Sequence, residues 1–376
     1  MRVLIAGGGT GGHIYPGIAI AQKCSKQNIL VDYACTERKI DEQILSEHKS
    51  LLGNVIVQPI TPASLHPAKF IKFLYNFAKS RKLIKHYLQQ HNDIQAIIGL
   101  GGFGSVAAII EGQKQGIKTA ILNPDIVPGK ANRFCQKYAD KIFVQWHDTQ
   151  IYFGKSVEVI GVPIREEICN LQDKQKRNEY RTLAKSKLAL IDNRKVLVIV
   201  GGSSGAQSLN LSAGKVIKDM FRDERINEKW QIIHVTGESD FYNVKEMYDE
   251  INGINAKILK FCQQMELIWS VADLAICRAG AITIAELLAS KVPAIFLPYP
   301  FHHDNHQRKN AQMMAKTGTG KIVIDDGQGG SQTQNELKKT LQFLLACEEK
   351  LSQMKLKFAN TENKAADRIV RWIINE

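Results

Sequence analysis

Short runs of β-branched and aliphatic residues recur along the chain, each followed by a longer stretch whose apolar positions repeat at helical spacing. In the first half these runs lie at 2–6, 29–34, 55–58, 95–99, 118–122, 141–145 and 157–161. A charged stretch at 173–187 intervenes, and a second series follows at 195–200, 231–235, 257–261, 274–277, 294–297 and 321–324. Strands alternating with helices predict parallel sheets covered on both faces. Val196-Leu197-Val198-Ile199-Val200 contains no polar position, as a strand buried on both sides requires. A last helical pattern over 355–374 is a candidate to pack back on the first half.

The second series begins as the first does. Val3-Leu4-Ile5-Ala6-Gly7-Gly8-Gly9-Thr10-Gly11-Gly12 is echoed by Val196-Leu197-Val198-Ile199-Val200-Gly201-Gly202-Ser203-Ser204-Gly205-Ala206. Each is a hydrophobic strand, a glycine turn with a hydroxyl, then a helix. The expected fold is α/β, with two Rossmann-like domains in tandem, 1–163 and 164–376, joined near 161–165.

Composition narrows the class. The 376 residues are 44% hydrophobic and 23% charged, which excludes a disordered or fibrous chain. The longest apolar candidate, 292–301, is broken by Pro293, Pro298 and Pro300, so no segment reaches the ~18 residues of a membrane span. The first residues run straight into a strand, which argues against a secretory leader. Seven cysteines, with no CxxC pair, fit a reduced cytoplasmic protein without structural zinc. A net charge of +13 favours an anionic partner: a phosphate ligand, a nucleic acid or a membrane surface.

A glycine turn between strand and helix lets backbone N–H groups approach a phosphate, and the helix N-terminus adds partial positive charge. Gly7-x-Gly9-x-x-Gly12, with Asp32 twenty residues on, formally matches a dinucleotide fingerprint, so an NAD(P)-dependent oxidoreductase is a rival reading. Two features weigh against it. His13 places an imidazole where the helix begins, and a second glycine turn implies a ligand cleft between two similar domains. Gly99-Leu100-Gly101-Gly102-Phe103-Gly104-Ser105 adds a third turn at a strand end. In the second half, Glu286 follows the turn Arg278-Ala279-Gly280 and suits a vicinal diol such as a ribose. His302-His303-Asp304-Asn305-His306-Gln307 invites a metal reading. Its spacing is unlike H-E-x-x-H and a single crowded loop would supply every ligand, so a patch for sugar hydroxyls is expected instead and no metal or cofactor is assigned.

These motifs, in this order, resemble the MurG family of GT-B glycosyltransferases: Gly8-Gly9-Thr10-Gly11-Gly12-His13-Ile14-Tyr15-Pro16-Gly17, Gly101-Gly102-Phe103, Gly161-Val162-Pro163-Ile164-Arg165, Gly201 to Ala206, Cys277 to Glu286 and Asp304 to Ala311. The resemblance spans nearly the full length. It implies two Rossmann-like domains whose parallel sheets face across a cleft. It also implies inverting transfer of N-acetylglucosamine from UDP-N-acetylglucosamine to the C4 hydroxyl of a polyprenyl-diphosphate-linked muramoyl-peptide, without a metal. By position, Cys262 would meet the uracil and Glu286 the ribose. Ser203, Ser204, Arg165, Ala281, Ile282 and Thr283 would surround the diphosphate, His306 and Gln307 the sugar, and Thr10, Gly11 and Gly12 would close over the donor. His13 is the favoured general base and Asp125 its competitor, also counted among donor contacts. The family's usual His-Glu-Gln-Asn reads Leu122-Asn123-Pro124-Asp125 here, so a carboxylate replaces an amide. A related UDP-sugar transferase with another acceptor, or a non-catalytic nucleotide-sugar binder, stays open.

The implied lipid acceptor gives meaning to one further segment. No acidic residue falls between Glu47 and Asp93, and within that window Lys69, Phe70, Lys72, Phe73, Phe77 and Lys79 lie on a basic, aromatic helical stretch. Such a helix suits an anionic membrane surface. The expectation is a peripheral protein on the cytoplasmic face of the membrane, with no nucleic-acid partner.

Overall fold

The computed structural model describes every residue except 61–65, 203–204, 303, 347, 360–361 and 376, and the side chain of Asn375. The chain forms two compact units, Met1–Glu166 with Asn363–Glu376, and Glu167–Glu362.

The first unit holds strands β1 (Arg2–Ala6), β2 (Leu30–Thr36), β3 (Val55–Gln58), β4 (Ile94–Gly99), β5 (Lys118–Asn123), β6 (Lys141–Val144) and β7 (Glu158–Val159). They form one sheet in the order β3-β2-β1-β4-β5-β6-β7, parallel throughout. Alternation along β1 sorts its side chains. Val3 and Ile5 enter one core with Ile14 and Ile18, while Leu4 and Ala6 enter the other with Ile84, Val106 and Ile109. Both faces being covered, β1 carries no polar residue after Arg2.

The first of these cores is closed by a late segment. Helix Ala365–Asn375 lays Ile369, Val370 and Ile373 among the residues of helix Gly11–Ser25, and Trp372 meets Phe143 edge-on at 5.9 Å. The single helical pattern expected over 355–374 is in fact two helices. Glu348–Leu356 ends within the second unit, and Asn363 Oδ1 then accepts from Ala365 N at 3.1 Å to start the next helix. The amide of the same Asn363 donates to Val162 O at 2.9 Å.

The second unit repeats the plan with β8 (Lys195–Val200), β9 (Trp230–Val235), β10 (Ala256–Leu259), β11 (Leu274–Cys277), β12 (Ala294–Phe296) and β13 (Gly320–Ile322). The order is β10-β9-β8-β11-β12-β13, again all parallel. Counted from its own first strand, each sheet runs 3-2-1-4-5-6, the Rossmann order, and the first adds β7 at its edge beside β6. The crevice beyond the carboxyl ends of the first and fourth strands is where such sheets bind ligands.

Candidate active site

In the first unit the turn after β1 is clamped by residues that follow β2. The Asp41 carboxylate, fully buried, accepts from Gly9 N at 2.7 Å, from Thr36 N at 3.0 Å and from Thr36 Oγ1 at 2.6 Å. Arg38 donates to Gly9 O at 2.7 Å. Glycine is required at position 8, where an added Cβ would sit 2.2 Å from Asp41 Oδ2. The turn is therefore a stiff object. Thr10 precedes helix Gly11–Ser25 without a side-chain cap, which leaves the amides of the first turn, including Gly11 and Gly12, facing outward from the strand ends.

His13 is fixed within this turn. Its Nδ1 lies 3.2 Å from Gly8 O and 3.3 Å from Thr10 Oγ1. A proton on Nδ1 donates to the Gly8 carbonyl and leaves Nε2 as a bare lone pair. Burial pushes the imidazole pKa below its ordinary 6.5, while the Asp125 charge and the Gly8 carbonyl pull the other way. The net shift is downward, so the ring is a neutral base at pH 7. The turn after β4 closes over it. Gly102 has φ +69°, and a Cβ there would stand 3.2 Å from His13 Nδ1, so a side chain would be both strained and in the way.

Asp125 follows β5 in a loop tied at its base. Asn123 Nδ2 donates to Asp125 O at 2.5 Å, and Asn132 Nδ2 donates to Leu122 O at 3.0 Å and Asn123 Oδ1 at 3.1 Å. Arg165 is buried, with its guanidinium 4.8 Å above the Tyr15 ring, two residues along the helix from His13. Asp32, the acid of the dinucleotide fingerprint, sits near the start of β2 rather than its carboxyl end. It is fully buried and spent on Arg2 at 2.9 Å, Tyr87 Oη at 2.6 Å and Asn54 N at 2.7 Å. It cannot receive a ribose, and the NAD(P) reading loses its anchor.

In the second unit, helix Ala281–Ser290 starts after Gly280 with no side-chain cap and no acid in its first turn. Ala281, Ile282 and Thr283 thus present amides at a positive helix end suited to a diphosphate. Glu286 stands on the next turn, and its Oε2 accepts from Trp269 Nε1 at 2.9 Å, which fixes the carboxylate. Cys262 lies half-buried in the loop between β10 and helix Met265–Val271. Gln307, near the start of helix His306–Thr317, accepts from Tyr299 N at 3.0 Å, and His306 Nδ1 meets Asp304 Oδ1 at 2.7 Å. Ser203 and Ser204 lie outside the described residues.

Arg278, part of the recognisable motif but given no role above, ties these turns together. It is buried, donating to Leu297 O at 2.7 Å, to Ser208 Oγ at 2.7 Å and to Asp325 Oδ2. Ser208 donates in turn to Asp325 at 2.7 Å, which locks the helix after the second glycine turn against the β11 turn. Asp41, Trp269 and Asp325 escape sequence reading because nothing local marks an acid or an indole whose partner is distant in sequence.

The segment 67–79 is placed equally plainly. Helix Pro67–Gln90 buries Ser80, Ile84 and Leu88, all in its later part. Its first turns carry exposed Phe70 (46%), Ile71 (67%), Leu74 (48%) and Tyr75 (61%), beside exposed Lys69, Lys72 and Lys79. Phe73 and Phe77 turn inward instead, with Phe73 stacked on Phe77 at 6.0 Å and edge-on to Phe103 at 5.6 Å.

Comparison with known proteins gives the family. Residues 3–144 match the profile of the glycosyltransferase family 28 N-terminal domain and residues 196–369 that of the glycosyltransferase family 28 C-terminal domain. A Geobacter metallireducens protein named UDP-N-acetylglucosamine–N-acetylmuramyl-(pentapeptide) pyrophosphoryl-undecaprenol N-acetylglucosamine transferase is 34% identical over 351 residues, 92% of this chain and 90% of its own. A Desulforamulus reducens protein of the same name is 32% identical, covering 94% and 92%. Among solved structures, Acinetobacter baumannii MurG superposes with TM-score 0.74 at 24% identity, covering 100% of this chain and 99% of its own. The UDP-GlcNAc 2-epimerase from Neisseria meningitidis, solved with UDP-GlcNAc bound, shares the fold at TM-score 0.68 and 14% identity, covering 100% of both chains. The chain is a glycosyltransferase of GT-B fold and belongs to glycosyltransferase family 28, within the MurG family.

Proposed function

We propose that the chain transfers N-acetylglucosamine from UDP-GlcNAc to the C4 hydroxyl of a polyprenyl-diphosphate-linked N-acetylmuramoyl-peptide, with inversion. The observation that carries this reading is the near-full-length likeness to transferases bearing that name, at 34% identity over 92% of the chain. The geometry is consistent with it. In the donor half, the amides of Ala281, Ile282 and Thr283 meet the diphosphate, Glu286 takes the ribose diol, Cys262 offers backbone to the uracil, and His306 and Gln307 take the sugar. In the first unit, Thr10, Gly11, Gly12 and Arg165 add donors for phosphate oxygens.

As the C4 oxygen bonds to the anomeric carbon, the bond from that carbon to the β-phosphate oxygen breaks on the opposite face. The hydroxyl proton passes to Nε2 of His13. Negative charge grows on the leaving UDP, where the uncapped amides at the start of helix Ala281–Ser290 stabilise it, with the Arg165 guanidinium as a further donor. Asp125 supports the base by its charge, which favours the imidazolium that forms.

The acceptor carries a lipid chain, and the exposed first turns of helix Pro67–Gln90 supply the surface for it. Phe70, Ile71, Leu74 and Tyr75 enter the interface while Lys69, Lys72 and Lys79 meet anionic headgroups. On this reading the protein works peripherally, on the cytoplasmic face of the membrane. The direct test is transfer of labelled sugar from UDP-GlcNAc to a short-chain lipid-linked muramoyl-pentapeptide, with product anomeric configuration read by NMR. A protein that binds UDP-GlcNAc but transfers to no such acceptor, or that yields the α-linked product, sinks the proposal. A thermal-shift panel of UDP, UDP-GlcNAc, UDP-Glc, GDP-sugars and NAD(H) separates the rivals, since native-state ligands raise the midpoint.

A further inference from the structure

The loop after β12 has a chemistry that sugar binding does not account for. Asn305 takes a left-handed conformation, φ +50°, and turns the chain so that side chains on either side of it converge. One ligand atom each from His302, Asp304 and His306 lies within 4.8 Å of the other two. Among the described residues no other trio of His, Cys, Asp or Glu is gathered in this way. The two imidazoles are 4.3 Å apart, tilted by 44° rather than stacked flat, and the Asp304 carboxylate already touches His306 Nδ1 at 2.7 Å. Tyr299 backs the His302 ring at 4.9 Å, edge-on. A single loop was expected to be too crowded to supply a ligand set. The left-handed turn at Asn305 removes that objection by bringing positions 302, 304 and 306 to one side.

We infer that His302, Asp304 and His306 form a binding site for a transition-metal dication, whose occupation opposes binding of the donor sugar. An ion bound at about 2.0–2.2 Å to each of three such ligands needs them about 3–4 Å apart. Small side-chain rotations reach that from the present spacing. Two imidazoles and one carboxylate select Zn²⁺ or Ni²⁺ over Mg²⁺ and Ca²⁺, which prefer all-oxygen shells. The ion takes the place of the proton on Nδ1 that joins His306 to Asp304, and the rotation that brings both side chains onto the ion carries the His306 ring away from the sugar. It also pulls on the first residue of the helix that carries Gln307. The second half of the inference rests on the proposed role of His306 and Gln307 at the sugar; the first half does not.

The test is calorimetric titration of Zn²⁺ into the purified full chain, repeated with His302→Ala, Asp304→Asn and, as a thiol control, Cys262→Ser. The expected result is one ion per chain. Affinity should fall at least about tenfold in each ligand variant and be retained in the control. Equal affinity in His302→Ala and wild type, or loss in Cys262→Ser, overturns the site. Circular dichroism checks that each variant folds, and Asp304→Asn stands in if His302→Ala does not. Dissociation constants for UDP-GlcNAc and for UDP are then measured with and without saturating Zn²⁺. Zinc should weaken UDP-GlcNAc and leave UDP unchanged in wild type, and change neither constant in His302→Ala. An unchanged UDP-GlcNAc constant overturns the antagonism. Failure of UDP-GlcNAc to bind the metal-free protein counts against the proposed function and leaves the zinc titration to judge the site.

Discussion

Reversing Lys69, Lys72 and Lys79 to Glu tests how the protein reaches a lipid-borne acceptor. The three ammonium groups lie on the exposed first turns of helix Pro67–Gln90, so charge reversal disturbs no buried partner. Each Lys close to an anionic bilayer contributes about 1 kcal/mol. Removing three therefore costs about 3 kcal/mol, or roughly a hundredfold in partition coefficient, and the added carboxylates only increase that loss. Apolar insertion by Phe70, Ile71 and Leu74 is untouched by the change and supplies whatever binding remains to neutral lipid, while Tyr75 loses the Lys79 ammonium that stands 4.8 Å over its ring. The assay is co-sedimentation with vesicles of pure phosphatidylcholine and of phosphatidylcholine with about a third phosphatidylglycerol, at low and at high salt. Wild type should prefer anionic vesicles and lose that preference as salt rises. The triple variant should bind both alike and weakly, while its turnover of a water-soluble acceptor analogue stays near wild type. Equal wild-type binding to both vesicles, or an unaltered triple variant, would refute the assignment of this helix as the contact.

His13→Ala should lower kcat by about 10²–10⁴ at saturating donor, and near-wild-type turnover would remove it as the base. Because burial lowers the His13 pKa, the neutral base persists below pH 6.5 and activity is lost only as pH falls through that depressed value. The Asp125 charge raises it, so Asp125→Asn should move the acid limb of kcat to still lower pH; a limb moving upward contradicts the geometry. Glu286→Ala should raise the Kd of UDP by about ten- to a hundredfold and spare 2′,3′-dideoxy-UDP, while Trp269→Phe, which only frees the carboxylate, should cost a few-fold, both read by calorimetry. Equal losses for the two nucleotides would deny Glu286 the ribose.

The strands were legible because burial on both faces leaves a run such as Val196 to Val200 no freedom to carry a polar residue. Legibility faded at the edges. Edge strand β7 pairs with one neighbour alone and shrinks from the expected 157–161 to Glu158–Val159. The 355–374 pattern hid a break because apolar spacing on either side happens to continue in phase, although Asn363 is a capping residue in plain view. The glycine turns, His13 and Glu286 were readable as chemistry. Their supports were not. Asp41 reads as an ordinary first-turn acid on a surface helix until β2 carries it under the first turn, and Trp269 reads as core until its indole N–H is seen on Glu286. Asp32 misled for the opposite reason, since residue counting cannot say at which end of a strand an acid falls.

The excursion of the chain out of the first unit and back has a consequence for biosynthesis. Val3, Ile5, Ile14 and Ile18 emerge early from the ribosome, yet the helix that shares their core, Ala365–Asn375, is translated only after the whole of Glu167–Glu362. Throughout that interval the nascent first unit presents an open apolar face of the kind that recruits chaperones and seeds aggregation. The second unit is contiguous and is complete before the first. Maturation therefore runs in the reverse of sequence order, and a polypeptide that stops after Glu362 but before Ala365 carries one finished half and one unfinished half.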